Sequence, residues 1–169
     1  MRTLPTRCLN LIVLLALSAT CLPQLRAGTR LEPTQGQTKE AAIAKINQLL
    51  QQSGYTFHKA ADNVWVVNRK GANIGAFDVL VAVETHYVLM GVVVAKKDRM
   101  RMTGDLTFKL LRLAHSTDYV KVGLDNDEDL FVRIEVRLRL FDLQSLKDMI
   151  EDVSTASDKA YLGVKPFLK

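Results

Sequence analysis

The side chains best suited to acid–base or ligand chemistry at neutral pH in this 169-residue chain are three histidines, His58, His86 and His115. None forms a His-x-x-His or Glu-x-x-His pair, the spacing that brings two ligands to one helix face. His115 closes a helical pattern, where the helix dipole alone explains a cation. Asp125, Asp127 and Asp129 imitate the first ligands of a calcium loop. Leu130, however, stands where that loop needs glycine, and Val136 where it needs a bidentate Glu. Ser53, Ser116, Ser145, Ser154 and Ser157 lie outside any Gly-x-Ser-x-Gly motif and outside a suitable Ser-x-x-Lys context. The glycines are scattered and form no phosphate loop. Cys8 and Cys21 are the only thiols. These residues therefore predict no catalytic constellation, no metal site and no cofactor. Function has to be sought on surfaces.

The surface that stands out belongs to a hairpin. Val120, Val122 and Leu124 alternate with Tyr119, Lys121 and Gly123; Leu130, Val132, Ile134, Val136, Leu138 and Leu140 alternate with Phe131, Arg133, Glu135, Arg137 and Arg139. A two-residue loop would mix the two faces, because a slip of one residue inverts every side chain. A three-residue loop, Asn126 to Glu128, sets Leu124 opposite Leu130, Val122 opposite Val132 and Val120 opposite Ile134. The same register sets Lys121 opposite Arg133 and Tyr119 opposite Glu135 on the outer face. Like charges directly opposite destabilise a sheet modestly, so this face reads either as solvated or as a surface that tolerates repulsion until a partner arrives. The candidate contact residues are Tyr119, Lys121, Phe131, Arg133, Arg137 and Arg139. They suit an acidic or extended polypeptide, since arginine offers a planar fork and stacks on aromatics. Trp65 is a further candidate, read either as core or as a contact.

Three helices and four earlier strands must position that hairpin. Thr38 can cap a helix through Gln51 with the stripe Ile43, Ile46, Leu49 and Leu50, and Gly54 stops it. Tyr55 to Lys59 is extended, Asp62-Asn63 turns the chain into Val64–Val67, and Arg69 to Asn73 turns it again. Phe77 to Ala95 is the most apolar run after the leader; its valines and the interruption at Glu84 predict two strands hinged at Glu84-Thr85. Val79, Val81, Val83, Val88, Met90, Val92 and Val94 share one face. Leu80, Ala82, Tyr87, Leu89 and Val93 share the other. Three helices cannot cover both faces, so a partner or a second copy, giving a homodimer, is expected. A basic link, Lys96 to Arg101, leads to a helix from Asp105 to His115 with the stripe Leu106, Leu110, Leu113 and Ala114. Asp142 can cap the last helix, whose stripe runs from Leu143 through Leu146, Met149, Ile150 and Val153 to Ala160 and Tyr161.

Residues 1–27 read as a secretory signal peptide. Arg2 and Arg7 precede the apolar run Leu9 to Leu17, with cleavage after Ala19 or near Ala27. Residues 28–37 form a linker, and residues 38–169 a single α+β domain. The alternative is a lipoprotein anchored at Cys21. Removing Arg2, Arg7 and Arg26 lowers the net charge from +5 to +2, which withdraws the case for nucleic-acid binding. Once the leader is gone no membrane span is expected, and the protein is placed in the periplasm or outside the cell.

The order helix, strands, helix, hairpin, helix resembles the YbjN domain family, whose members share the fold of type III secretion chaperones. The resemblance spans Thr38 to Tyr161. It is carried by Gly54-Tyr-Thr-Phe57, Leu110-Leu-Arg-Leu-Ala-His115, Val120-Lys-Val-Gly-Leu-Asp125 and the spaced Leu143, Leu146, Ile150 and Ala160. It implies an α+β domain with an antiparallel or mixed sheet packed against helices, which dimerises and holds an extended segment of another protein. The chain departs from secretion chaperones, which are cytoplasmic and acidic, in its export signal and slight basic excess. The expected function is a non-catalytic binding or chaperone-like module of the bacterial cell envelope. An envelope lipoprotein with a structural or signalling role is the alternative, and a hydrolase ranks last.

Overall fold

The computed structural model describes residues 38–84 and 86–169, which belong to one compact unit. The leader, the linker, both cysteines and Thr85 lie outside the described residues. Helix α1 spans Lys39–Ser53; Thr38 Oγ1 accepts from Ala41 N, and Gly54 at φ 82° ends the helix in the left-handed conformation that glycine adopts without strain. Four strands follow: β1 (Phe57–Ala61), β2 (Val64–Gly71), β3 (Gly75–Val83) and β4 (Tyr87–Ala95). A 3-10 turn at Lys97–Arg99 leads to α2 (Gly104–His115), capped by Thr103. Then come β5 (Lys121–Leu124), β6 (Leu130–Arg137) and α3 (Leu143–Val164), the last capped by Asp142. Among the described residues no helix is long and apolar enough to cross a membrane.

The strands form one six-stranded sheet in the order β1-β2-β3-β4-β6-β5, with every pairing antiparallel. The expected break at Glu84-Thr85 separates β3 from β4, and their faces divide as the alternation predicts. Trp65, Val81, Met90 and Ile134 form one row across four strands. Trp65, Val81 and Met90 are wholly buried, Ile134 nearly so. Helices α1 and α3 cover that side. Ile46 and Leu50 of α1 and Leu146, Ile150 and Val153 of α3 are fully enclosed, as the 3.6-residue period requires. Trp65 Nε1 donates to Asn47 Oδ1 of α1 at 3.2 Å, so its one polar atom is satisfied in the core.

Two long-range clasps fix the sheet to α3. Arg69 donates from Nε to Ser154 Oγ at 3.1 Å and pairs with Glu151, while its guanidinium lies 5.0 Å from the Tyr55 ring centre. Asp158 accepts from Asn73 N at 2.7 Å, Asn73 Nδ2 at 2.6 Å and Ile74 N at 2.9 Å, holding the β2–β3 turn. These donors hold its carboxyl below the usual range, the Ile74 amide most of all.

The hairpin closes as the faces demand. Leu124 pairs with Leu130, Val122 with Val132 and Lys121 with Arg133. Asp125 N donates to Asp129 O at 3.0 Å, and Glu128 takes a left-handed φ of 62°, the three-residue turn with a bulge position. The triple aspartate serves this loop. Asp125 Oδ1 accepts from Asp127 N and Asp129 N, and Asp129 accepts from Lys97 N and Lys96 Nζ. Lys96, followed by the Lys97 amide, holds the Asp129 carboxyl below its ordinary range, and Asp129 in turn raises Lys96.

Two strand ends differ from the sequence reading. The first hairpin strand begins at Lys121, because Tyr119 has φ 62° and Val120 N donates to Asp118 O at 2.7 Å. This tight turn tucks Val120 into the core on leaving α2. The second strand stops at Arg137, which pairs with Tyr87, the first residue of β4. Beyond that pair Leu138 N still donates to His86 O at 3.2 Å, and Leu138–Leu140 curl into a 3-10 turn that feeds α3.

Candidate functional site

Among the described residues, one face of the sheet has helices and the other has none. His58, Val66, Leu80, Gly91, Arg133 and Lys121 form a row across all six strands of the open face. Beside it run Val64, Ala82, Leu89 and Glu135 on one flank, and Val93, Phe131 and Gly123 on the other. Leu80, Tyr87 and Val93 are 39%, 41% and 42% exposed. These residues make an apolar strip over the middle strands, with charge gathered toward β6 and β5. Contiguous apolar surface rimmed by polar residues is the mark of an interaction site.

The charged end is built around Arg133. Its guanidinium stacks 4.7 Å from the Phe131 ring centre. A side chain at position 91 would place its Cβ 3.2 Å from Arg133 Cβ, so the glycine in the central strand makes room for the arginine stem. Glu135 lies between the cations: Lys121 Nζ donates to Oε2 at 2.9 Å, and Arg133 Nε stands 3.1 Å from Oε1. The latter is a charge contact out of hydrogen-bond alignment, which leaves the buried Arg133 Nε–H unsatisfied. Lys121 is the main cause of a lowered Glu135 pKa. The expected repulsion between Lys121 and Arg133 is therefore offset within the chain by Glu135, which reaches Lys121 diagonally on β5 and Arg133 two residues back along β6.

The contact residues expected from sequence fall into three groups. Lys121, Phe131 and Arg133 are brought together on the open face, and Arg137 lies at its end beside Tyr87. Tyr119 and Arg139 are not part of the sheet. Tyr119 is 90% exposed at its left-handed turn and does not face Glu135; Arg139 is exposed in the turn after β6. Trp65 is on the opposite, helix-covered face and offers no surface to a partner. The three histidines do not meet: His58 lies on β1, His86 just before β4, and His115 ends α2.

No family model matches the chain, and no curated protein matches it in sequence. Its fold does have a solved counterpart. A chain of the heterodimeric ExoU–SpcU complex, from the type III secretion system of Pseudomonas aeruginosa, superposes with a TM-score of 0.53 at 15% identity, over 72% of this chain and 98% of that one. At that identity the likeness is one of fold. Among the described residues, helices packed on one face of an antiparallel sheet make an α+β domain with the fold of a type III secretion chaperone.

Proposed function

We propose that the chain is a non-catalytic, chaperone-like module of the bacterial cell envelope that holds an extended segment of a protein partner. The observation that carries this reading is the open sheet face, where Leu80, Tyr87 and Val93 stay half-exposed beside the Arg133–Phe131 stack. An extended segment can lay apolar side chains on the strip and acidic ones toward Lys121, Arg133 and Arg137. Support comes from the fold, shared with a chain that its solved structure places in a heterodimeric complex. Membership of the YbjN domain family and export to the periplasm belong to the same proposal and rest on the motifs and leader described above. Homodimerisation, proposed because the strip is apolar, is read by sedimentation velocity at micromolar concentration. The second reading, an envelope lipoprotein, rests on Cys21, and mass spectrometry of the mature N-terminus separates the two by the presence or absence of a diacylglycerol adduct.

The direct test is site-specific photocrosslinking in cells from position 80 or 93, with position 155 on the exposed side of α3 as control. The expected result is a discrete protein adduct from 80 and 93 only, weakened by Arg133→Ala with Arg137→Ala and by high salt. Adducts no different from those at position 155, or none, would refute the open face as the binding surface.

A further inference from the structure

A second exposed surface lies on the helical side. Phe108 and Leu111 project from α2 at 66% and 62% exposure. They are one turn apart and opposite Leu106, Leu110 and Leu113, which enter the core. Met102, at the entry to the helix, is 43% exposed. The chain that leads into and forms this ridge is rich in cations. Between Lys96 and Arg112 there are six basic residues and two carboxylates, a net +4, whereas residues 38–169 carry only +2 in all. Lys96 and Lys97 are engaged by Asp129 and Glu128. Arg99, Arg101, Lys109 and Arg112 have no carboxylate in ion-pair contact among the described residues. The C-terminal tail is fastened alongside, with Arg101 N donating to Phe167 O and Lys169 N to Arg99 O, each at 2.8 Å. The tail carries Lys165 and Lys169, and Lys169 Nζ donates to Asp98 O at 3.0 Å.

We infer that this surface docks on an anionic lipid bilayer. Phe108 and Leu111 enter the boundary between headgroups and acyl chains, and Arg99, Arg101, Lys109 and Arg112 meet lipid phosphates. Shape and charge both favour this occupant. A projecting ridge cannot enclose a peptide, but a fluid interface accepts apolar side chains from a helix that also exposes Lys109 and Arg112 against the single acidic Asp105. A second copy packed on the same ridge would oppose four cations with their equivalents, with only Asp98 and Asp105 of each chain to offset them. An anionic leaflet supplies the complementary charge over the whole surface. The inference is independent of the proposed peptide site. Docking through α2 leaves the sheet face without helices open.

Co-sedimentation of the full chain with vesicles tests it, using phosphatidylglycerol–phosphatidylcholine mixtures against phosphatidylcholine alone. The apolar run Leu9 to Leu17 is common to every variant, so differences between variants report on α2. Wild type is expected to prefer the anionic vesicles by about tenfold or more, a preference that falls at high salt. Phe108→Ser with Leu111→Ser, and separately Arg101→Ala with Lys109→Ala and Arg112→Ala, should each lower binding by about tenfold. All five side chains are exposed, so both variants should keep the wild-type circular dichroism and unfolding temperature. If either folded variant binds as wild type does, or if the anionic lipid makes no difference, the inference fails. It also fails if Phe108→Ser with Leu111→Ser converts a dimer to a monomer in sedimentation velocity, since a second copy would then own the ridge.

Discussion

The open sheet face makes a quantitative prediction about neighbouring residues of one strand. Met90 is fully buried on the helix-covered side, while Val93, three residues on, is 42% exposed on the other. Met90→Ala removes a side chain from the row it shares with Val81 and Ile134 and leaves a cavity beneath α3, a change that costs about 2–5 kcal/mol. Val93→Ala removes two methyl groups worth about 0.8 kcal/mol each when buried, and with roughly three-fifths of that burial and no enclosed cavity the loss is about 1 kcal/mol. With an unfolding entropy of about 2.1 cal/mol/K per residue over roughly 130 residues, 1 kcal/mol corresponds to about 3–4 °C. Met90→Ala should therefore lower the unfolding temperature by about 7–18 °C and Val93→Ala by about 3–4 °C. Thermal unfolding followed by circular dichroism at several protein concentrations measures both. Equal shifts at low concentration would refute the reasoning, whereas a Val93→Ala shift that grows with concentration would report the second copy proposed to cover the strip.

Gly71→Ala would put a Cβ 2.3 Å from Asp158 Oδ1 and should cost about 1–3 kcal/mol by overpacking. Because the clash is with the clasp itself, Asp158→Ala should absorb part of that cost, and a double-mutant cycle by urea unfolding should show coupling above about 0.5 kcal/mol. Acid should weaken the fold. Asp129, Asp142 and Asp158 all have native pKa values lowered from 3.8 by the hydrogen bonds they accept, so the unfolded chain protonates first; their stabilisation is present above pH 3.8 and lost as the pH falls through the native values. Unfolding temperature measured from pH 6 downward reads this, and Asp158→Asn should flatten the decline. Tyr119→Gly should leave stability unchanged or raise it by about 1 kcal/mol, because glycine accepts the left-handed backbone that tyrosine holds at φ 62°; thermal unfolding decides it.

Much of this architecture could be read from periodicity. The hairpin register followed from keeping Val122, Leu124, Leu130 and Val132 on one side, and the division of Val79–Val94 from Leu80–Val93 followed from strand alternation. Thr38, Gly54 and Asp142 marked helix ends by their own chemistry. What stayed hidden depends on residues distant in sequence. Asp158 meets Asn73 across a separation of 85 residues, and no local pattern announces it. Glu135 alternates with arginines as any solvated residue would, yet its position between Lys121 and Arg133 decides the electrostatics of the face. Alternation alone assigns Tyr119 and Arg139 to strands; a left-handed turn at Tyr119 keeps it out of β5, and β6 stops at Arg137 opposite the first residue of β4. Phe108 and Leu111 lie outside the α2 stripe, yet two large apolar residues one turn apart, opposite a complete stripe, are themselves a signal.

The strand order also bears on how the chain reaches this state. Strands β1 to β4 are joined in sequence by short turns, and β5 and β6 by one hairpin loop. The two halves of the sheet meet at a single seam, β4 against β6, whose partners such as Met90 and Ile134 are separated by α2 and its links. Local turns close quickly, whereas such non-local pairing must first overcome the entropy of closing the intervening chain. Until the seam forms, β4 offers an unpaired edge with the run Tyr87–Ala95, which contains no charge or proline, a combination that invites pairing with another chain. Docking of the hairpin onto β4 is thus the step at which a newly made molecule is most exposed to aggregation, and variants that loosen β6 should lower soluble yield before they lower the stability of molecules already folded.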